Sequence, residues 1–207
     1  MKVEQMTLGS FGTNCYILID ETTMDAYCVD PGDYAEVIQN KLQENGWNLK
    51  GILLTHGHFD HIYAVKALKR VYDIPVYALE AEKELLNDSI KNLSDQFAAP
   101  YTLDADVYLH DGETLLVAGS NMQVLATPGH TAGSCCFYFP QEDLLFSGDT
   151  LFCASVGRTD MPTGSFSRII QSIKEKLFVL DDRIKVYPGH GEATTIGYEK
   201  DYNPFLS

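Results

Sequence analysis

The stretch Thr55-His56-Gly57-His58-Phe59-Asp60-His61 sets four side chains able to ligate a metal within six residues, directly after the apolar run Ile52-Leu53-Leu54. A lone histidine is usually a satisfied core or surface residue, but here three of the chain's six histidines stand together with a carboxylate among them. Imidazole nitrogen and carboxylate oxygen suit zinc, and they suit iron or manganese as well. Three later turns repeat one layout, an apolar strand ending in a polar loop with a single donor. They are Val124-Leu125-Ala126 before Thr127-Pro128-Gly129-His130, Leu144-Leu145-Phe146 before Ser147-Gly148-Asp149-Thr150, and Val186-Tyr187 before Pro188-Gly189-His190-Gly191. Glycine beside each donor lets the backbone turn and approach an ion closely, and Pro128 and Pro188 stop their strands by removing an N–H. Loops that leave one rim of a sheet sandwich can converge, and these four hold five of the six histidines.

His110, in the turn Leu109-His110-Asp111-Gly112, is left over and is assigned no role. Asp30 closes the strand before Pro31-Gly32 and is a candidate acceptor for the spare ring N–H of a ligating histidine, set against the reading of a plain turn aspartate. The five cysteines, Cys15, Cys28, Cys135, Cys136 and Cys153, have no metal-site spacing. They sit in apolar runs as small hydrophobes do, Cys153 being a partial exception because it follows Asp149 so closely.

The elements that must position these residues are legible from apolar runs of strand length. Strands are expected at Cys15–Ile19, Ala26–Val29, Ile52–Leu54, Val76–Ala78, Leu115–Val117, Met122–Ala126, Cys135–Phe139, Leu144–Phe146 and Ile184–Tyr187. A helix is expected over Tyr34–Asn45, with Asp33 and Glu36 as a capping box and Gly46 as its stop. Others follow His61 with Ala64, Val65, Leu68 and Val71 inward, cover Ala81–Leu86, and run from Phe166 to Leu180 with Ile169, Ile173 and Leu177 in line. Walls of a pocket are expected from loops such as Lys91 to Tyr101, and Phe205 and Leu206 of the tail should pack on the body. Strands in runs, with helices gathered toward the middle and end of each half, favour two mixed, mostly antiparallel sheets with helices outside over a doubly wound parallel sheet.

With 207 residues, 45% of them hydrophobic, and no Pro/Gly/Ser-rich linker, residues 1–207 read as one globular α/β (α+β) domain. The formal charge of −14 repels nucleic acid and anionic membrane surfaces, and disfavours large anionic substrates. Neither a signal peptide nor a run of ~20 apolar residues is seen, so the expected location is the cytoplasm.

Thr55 to His61 meets in full the pattern T-H-x-H-x-D-H, with later His, Asp and His elements at His130, Asp149 and His190. In this the chain resembles the metallo-β-lactamase superfamily over almost its whole length. Thr127 to Ser134, Gly148 to Phe152, Gly157-Arg158-Thr159-Asp160 and Tyr187 to Gly191 look like the glyoxalase II-like branch. The resemblance implies a four-layer αββα sandwich with the site along one edge. It places His56, His58 and His130 on a first metal, Asp60, His61 and His190 on a second, and Asp149 between them as a bridge. Aspartate at 149 separates the chain from β-lactamases with cysteine there, and His58 separates it from the flavo-diiron branch.

Two divalent ions, zinc being first choice, with two carboxylates and a shared hydroxide keep about one net positive charge and bring the pKa of water to around 7. That hydroxide would attack a small thioester, whose thiolate leaves without an acid, while Asp60 and Asp149 hold the metals and orient the water. The resemblance puts Arg158 where a basic residue meets the carboxylate of a thiol carrier; the alternative is an internal salt bridge with Asp149 or Asp160. Only twelve residues follow Thr195, so the helical domain that supplies most glutathione contacts in glyoxalase II is not expected here, and the thiol carrier is left open. The rival reaction class is a persulfide dioxygenase using one iron in the first site.

Overall fold

The strand Thr13–Ile19 shows how the layers arise. All seven of its residues are buried, with Cys15, Ile17 and Ile19 facing one apolar cluster and Tyr16 and Leu18 facing another. A strand alternates its side chains between two faces, so this one must be covered on both. The structure is a computed structural model and describes residues 1–206.

The first half of the chain comprises β1 (Lys2–Leu8), β2 (Thr13–Ile19), β3 (Asp25–Val29), α1 (Ala35–Asn45), β4 (Asn48–Leu53), α2 (Phe59–Ile62), α3 (Val65–Val71), β5 (Val76–Leu79), α4 (Lys83–Leu86), α5 (Ser94–Phe97) and β6 (Val107–Leu109). Its six strands form a sheet in sequence order, antiparallel through β1, β2 and β3 and parallel from β3 to β6, where helices make the crossovers. The second half comprises β7 (Thr114–Val117), β8 (Ser120–Ala126), β9 (Cys135–Phe139), β10 (Leu144–Gly148), β11 (Leu151–Phe152), β12 (Ser155–Val156), α6 (Phe166–Ser172), β13 (Lys185–Pro188), β14 (Thr194–Thr195) and α7 (Ile196–Tyr202). Its main sheet runs β14-β13-β10-β9-β8-β7 and is antiparallel except between β10 and β13, while β11 and β12 pair separately.

Three apolar clusters separate four layers, as expected. Ala35, Ile38 and Leu42 of α1 and Val65 and Leu68 of α3 cover the outer face of the first sheet. Between the sheets lie Leu18, Leu53, Val124, Phe137 and Phe146, all fully buried, and Ile169, Ile173, Leu177 and Ile196 cover the outer face of the second. Each such side chain contributes roughly 1.5–3 kcal/mol on leaving water. No helix among the described residues is long and apolar enough to cross a membrane.

Some expectations at element ends are corrected. α1 stops at Gly46 as expected, in the left-handed conformation, but no capping box forms, because Tyr34 also takes a left-handed φ and Asp33 accepts from the Tyr34 N–H instead. Val37 and Val71 face solvent. Ala81–Leu86 divides into a 3-10 turn, Glu80–Glu82, and the short α4, and α6 continues as a π-helical turn, Ile173–Leu177. In the tail Leu206 is buried and Phe205 is not, and Ser207 lies outside the described residues.

Candidate metal centre

β8, β10 and β13 run in the same direction, so their C-terminal ends share one edge of the second sheet. From those ends start the turns carrying His130, Asp149 and His190. β4 of the other sheet ends at the same edge and feeds the loop with His56 and His58, followed by Asp60 and His61 in the first turn of α2. Backbone bonds stitch the two sheets together there, Cys135 N–H donating to Thr55 O at 2.8 Å and Asn14 N–H to Gly189 O at 2.7 Å. Several glycines along this edge are sterically required, two of them against the donors and the Thr55 side chain. A Cβ at Gly189 would overlap the Asp149 carboxylate and crowd the His61 ring, and Gly148 takes φ 49° with its α-carbon against the Thr55 side chain.

The donor atoms of His56, His58 and His130 lie within 4.8 Å of one another, and so do those of Asp60, His61 and His190. In the first group His58 Nδ1 is 2.9 Å from His130 Nε2. In the second, His61 Nε2 is 3.3 Å from His190 Nε2, and Asp60 Oδ2 is 3.4 Å from His190 Nε2. Asp149 reaches both groups, with Oδ2 at 3.6 Å from His130 Nε2 and from His190 Nε2, and Oδ1 at 3.4 Å from His61 Nε2. Ligands bound tetrahedrally to zinc at about 2.0–2.1 Å stand about 3.3 Å apart, which is the spacing found. His56 Nε2 and Asp149 Oδ1 are buried without a hydrogen-bond partner. Imidazole lone pairs and a carboxylate turned toward one another in this way fit a cation.

A third grouping, Asp30 with His56 and His61, also has donors within 4.8 Å. It reads better as a hydrogen-bonded support, because Asp30 already accepts from Thr55 N–H at 2.8 Å, from Thr55 Oγ1–H at 2.6 Å and from His61 Nδ1 at 3.0 Å. His130 Nδ1 likewise donates to Arg158 O at 2.8 Å. Such outer contacts fix ring orientation and leave the inner nitrogen for a ligand.

Burial, together with the neighbouring imidazoles, pushes His56 and His58 well below the ordinary histidine pKa, and burial also lowers His130. His61 goes the other way. Burial opposes its charge, but Asp149, Asp60 and Asp30 outweigh that and raise it to about 10. His190 is raised for the same reason, and Asp60 is lowered because His61 and His190 outweigh its burial. The all-histidine set is therefore neutral and ready to bind, whereas the mixed set holds protons that an ion must displace.

Two acids that sequence reasoning missed hold this frame. Glu82, only 1% exposed, accepts from Gly57 N–H at 2.8 Å, Gly133 N–H at 2.9 Å and Thr131 Oγ1–H at 3.0 Å. It clasps the His56–His58 loop of one sheet to the His130 loop of the other. Glu199 of α7, fully buried, accepts from Ala154 N–H at 3.0 Å, Thr194 Oγ1–H at 2.6 Å and Asn203 Nδ2–H at 2.7 Å, and so anchors the β11–β12 hairpin that leads to Arg158.

Above the donors lies a trough of about 250 Å³, walled by Phe11, Phe59, Phe97, Phe152 and Met161 with Arg158 at its rim. Leu93 and Phe97 bring in the loop expected to supply walls. Arg158 makes a two-pronged contact with Asp160, at 3.0 and 2.9 Å, rather than with Asp149. His110 is exposed, 3.4 Å from Glu80. Four cysteines are buried, and the exposed Cys153 does not line the trough.

Comparison with known proteins agrees with this geometry. Residues 8–190 match the family described as the metallo-β-lactamase superfamily. Hydroxyacylglutathione hydrolase GloC of Haemophilus influenzae is 37% identical over 213 residues, covering 100% of this chain and 99% of its own. The crystal structure of BLEG-1 B3 metallo-β-lactamase superposes with a TM-score of 0.94 at 40% identity, covering all of both chains. TTHA1623, solved in a di-iron-bound form, has a TM-score of 0.87 at 36% identity, covering 98% of this chain and 100% of its own.

Proposed function

Since the chain belongs to the metallo-β-lactamase superfamily, we propose that it is a two-zinc hydrolase of small thioesters. His56, His58 and His130 would hold one ion, Asp60, His61 and His190 the other, and Asp149 would reach both. Ions held there would lower the pKa of water toward 7 and polarise a carbonyl. Overall, the oxygen of water joins the acyl carbon, the C–S bond breaks with its electrons going to sulfur, one hydrogen of the water ends on the thiol, and the carboxylate and one proton are released.

The observation that carries the thioester reading is what the trough lacks. Apart from the candidate ligands, its walls are apolar, and the one titratable side chain is Arg158. A guanidinium does not give up its proton at neutral pH, so a leaving group must depart unprotonated. A thiolate does so readily, since a thiol's pKa is about 8.5, whereas an amide nitrogen needs an acid. Asp30 keeps the proton on His61 Nδ1 and thereby its Nε2 free, as the Arg158 carbonyl does for His130. Arg158 spends two of its five N–H donors on Asp160, which leaves three at the rim for an anionic thiol carrier.

Mononuclear iron chemistry on a persulfide would leave the mixed set without work, although its donors are as closely gathered as the histidine set. Metal content of protein purified without chelator or histidine tag separates the two readings. Near two zinc ions per chain, with turnover of acyl thioesters, is expected. About one iron per chain with oxygen uptake on a persulfide overturns the proposal. A β-lactam belongs in the panel because BLEG-1 is described as a β-lactamase, and it should turn over far more slowly than the thioesters.

A further inference from the structure

The two ends of the trough differ. Toward His130 lies Arg158, whose carbonyl accepts from the His130 ring. Toward Asp60 lie three phenyl rings. Phe59 directly precedes Asp60, Phe97 stacks on it with centroids 5.9 Å apart at 18°, and Phe11 meets its ring edge-on at 5.0 Å. Phe11 also meets Phe97 edge-on, at 5.9 Å. These three rings are the partition between the trough and a second cavity of about 140 Å³, which runs back under the β1–β2 turn. A cavity of about this size is large enough for a benzene ring, and its lining mixes Leu8, Phe11 and Phe59 with the polar Ser10, Thr13 and Asp33.

Phe11 and Phe97 are 48% and 51% exposed, whereas Phe59 between them is buried. Two half-wet phenyl rings at the mouth of a reaction trough leave apolar area that a ligand can cover. The Asp60 end also carries no cation to meet an anionic group. With an anionic carrier at Arg158, a thioester centred on the ligand cluster must point its acyl end toward the rings.

We propose that the Phe11–Phe59–Phe97 corner selects thioesters whose acyl group ends in a phenyl-sized apolar unit. This rests on the thioester reading above and adds the acyl class to it. The selectivity is a matter of area and shape, because the three rings themselves offer no hydrogen-bond donor to an acyl hydroxyl.

The test uses the metal-loaded protein and N-acetylcysteine thioesters, whose carboxylate supplies the anion for Arg158, of acetic, 2-hydroxypropionic and phenylacetic acids. The kcat/KM for phenylacetyl should exceed that for acetyl on the order of 100-fold, as expected when a hydrophobic site gains several carbons. In Phe97→Ala the ratio should fall below about tenfold, with Phe97→Leu in between, and circular dichroism should show both variants folded. Direct binding of phenylacetate against acetate, followed by ligand-observed NMR, supplies an arm that needs no turnover. There phenylacetate should bind at least tenfold more tightly, and Phe97→Ala should erase the difference.

Thioester turnover with acyl ratios near one in both proteins would overturn this inference and leave the hydrolase reading standing. Phe97-dependent binding of phenylacetate without any thioester turnover would sink the hydrolase reading and keep the apolar corner. If instead the preference followed the thiol when acyl and thiol groups were varied separately, the acyl assignment would be wrong.

Discussion

Metal uptake by the two donor sets should respond differently to pH, and the structure fixes the sign. In the metal-free protein His61 is raised to about 10, so near neutrality it carries a second ring proton, on the Nε2 that must be bare to bind an ion. That proton competes with the metal, and affinity at Asp60, His61 and His190 should rise with pH until about 10. One displaced proton means about tenfold in affinity per pH unit, or about 1.4 kcal/mol. His190, also raised, can steepen the slope. The histidines of the other set are all lowered, so near neutrality they have no proton to lose. Between pH 6 and 7, below the range where bound water itself ionises, the mixed set should tighten about tenfold and the histidine set less than about threefold. Competition with a chelator, combined with calorimetry in two buffers of different ionisation enthalpy, counts the protons released with each ion. Asp30→Asn should lower the pH at which the slope flattens, because it removes one of the charges that hold the His61 proton. Equal slopes for both ions, or a steeper slope at the histidine set, would refute the electrostatic account.

Glu82→Gln keeps the shape of the clasp but must turn an NH2 toward either Gly57 or the Gly133 and Thr131 donors, and a buried donor left unpaired costs about 1–3 kcal/mol. Thermal unfolding of the metal-free variant should show that loss, and its histidine set should bind zinc more weakly. Burial pushes Glu82 up to about 7, above its unfolded value, so the stability it contributes is full below about 4.5 and fades as pH rises through 7. The stability gap between wild type and Glu82→Gln should accordingly narrow from pH 5 to pH 8, and a gap that widened would count against the clasp. Gly189→Ala should lose the ion of the mixed set by metal analysis while keeping its circular dichroism, because the added methyl overlaps Asp149; a variant that still bound two ions at wild-type affinity would contradict the steric argument. Arg158→Ala should raise KM for a thioester of an anionic thiol several-fold with a much smaller change in kcat, and an unchanged KM would remove the guanidinium from binding.

What the sequence made legible follows from how local each signal is. Cys135–Phe139 is an apolar run buried at every position but Tyr138, and its limits are found as expected. β1 was missed because Glu4 and Gln5 interrupt it on an exposed edge, and β14 because two threonines carry no period. α7 was missed because Gly197 argues against a helix. One signal for it was present, since Thr195 caps the helix by accepting from Tyr198 N–H at 3.2 Å. The parallel half of the first sheet has the same origin. Parallel partners are joined through helices rather than hairpins, so nothing between β4 and β5 names the pairing.

The candidate ligands announced themselves because metal chemistry needs several donors on short loops, and glycine beside them leaves a second mark. The acids that hold those loops together could not announce themselves. Glu82 stands in Leu79-Glu80-Ala81-Glu82-Lys83-Glu84, where it reads as one of several solvated charges, and its acceptors' partners are 25, 49 and 51 residues away. It meets Gly57 only because β5 lies parallel to β4, which delivers the residues after both strands to the same edge. It meets Thr131 and Gly133 only because the second sheet is laid on the first. A backbone N–H leaves no trace in the identity of the residue that bears it, so a carboxylate serving backbone donors across two sheets becomes visible only once the topology is known. The same reasoning marks where functional acids should be sought in such a sandwich: buried at strand exits along the ligand edge, on elements whose sequence looks like surface.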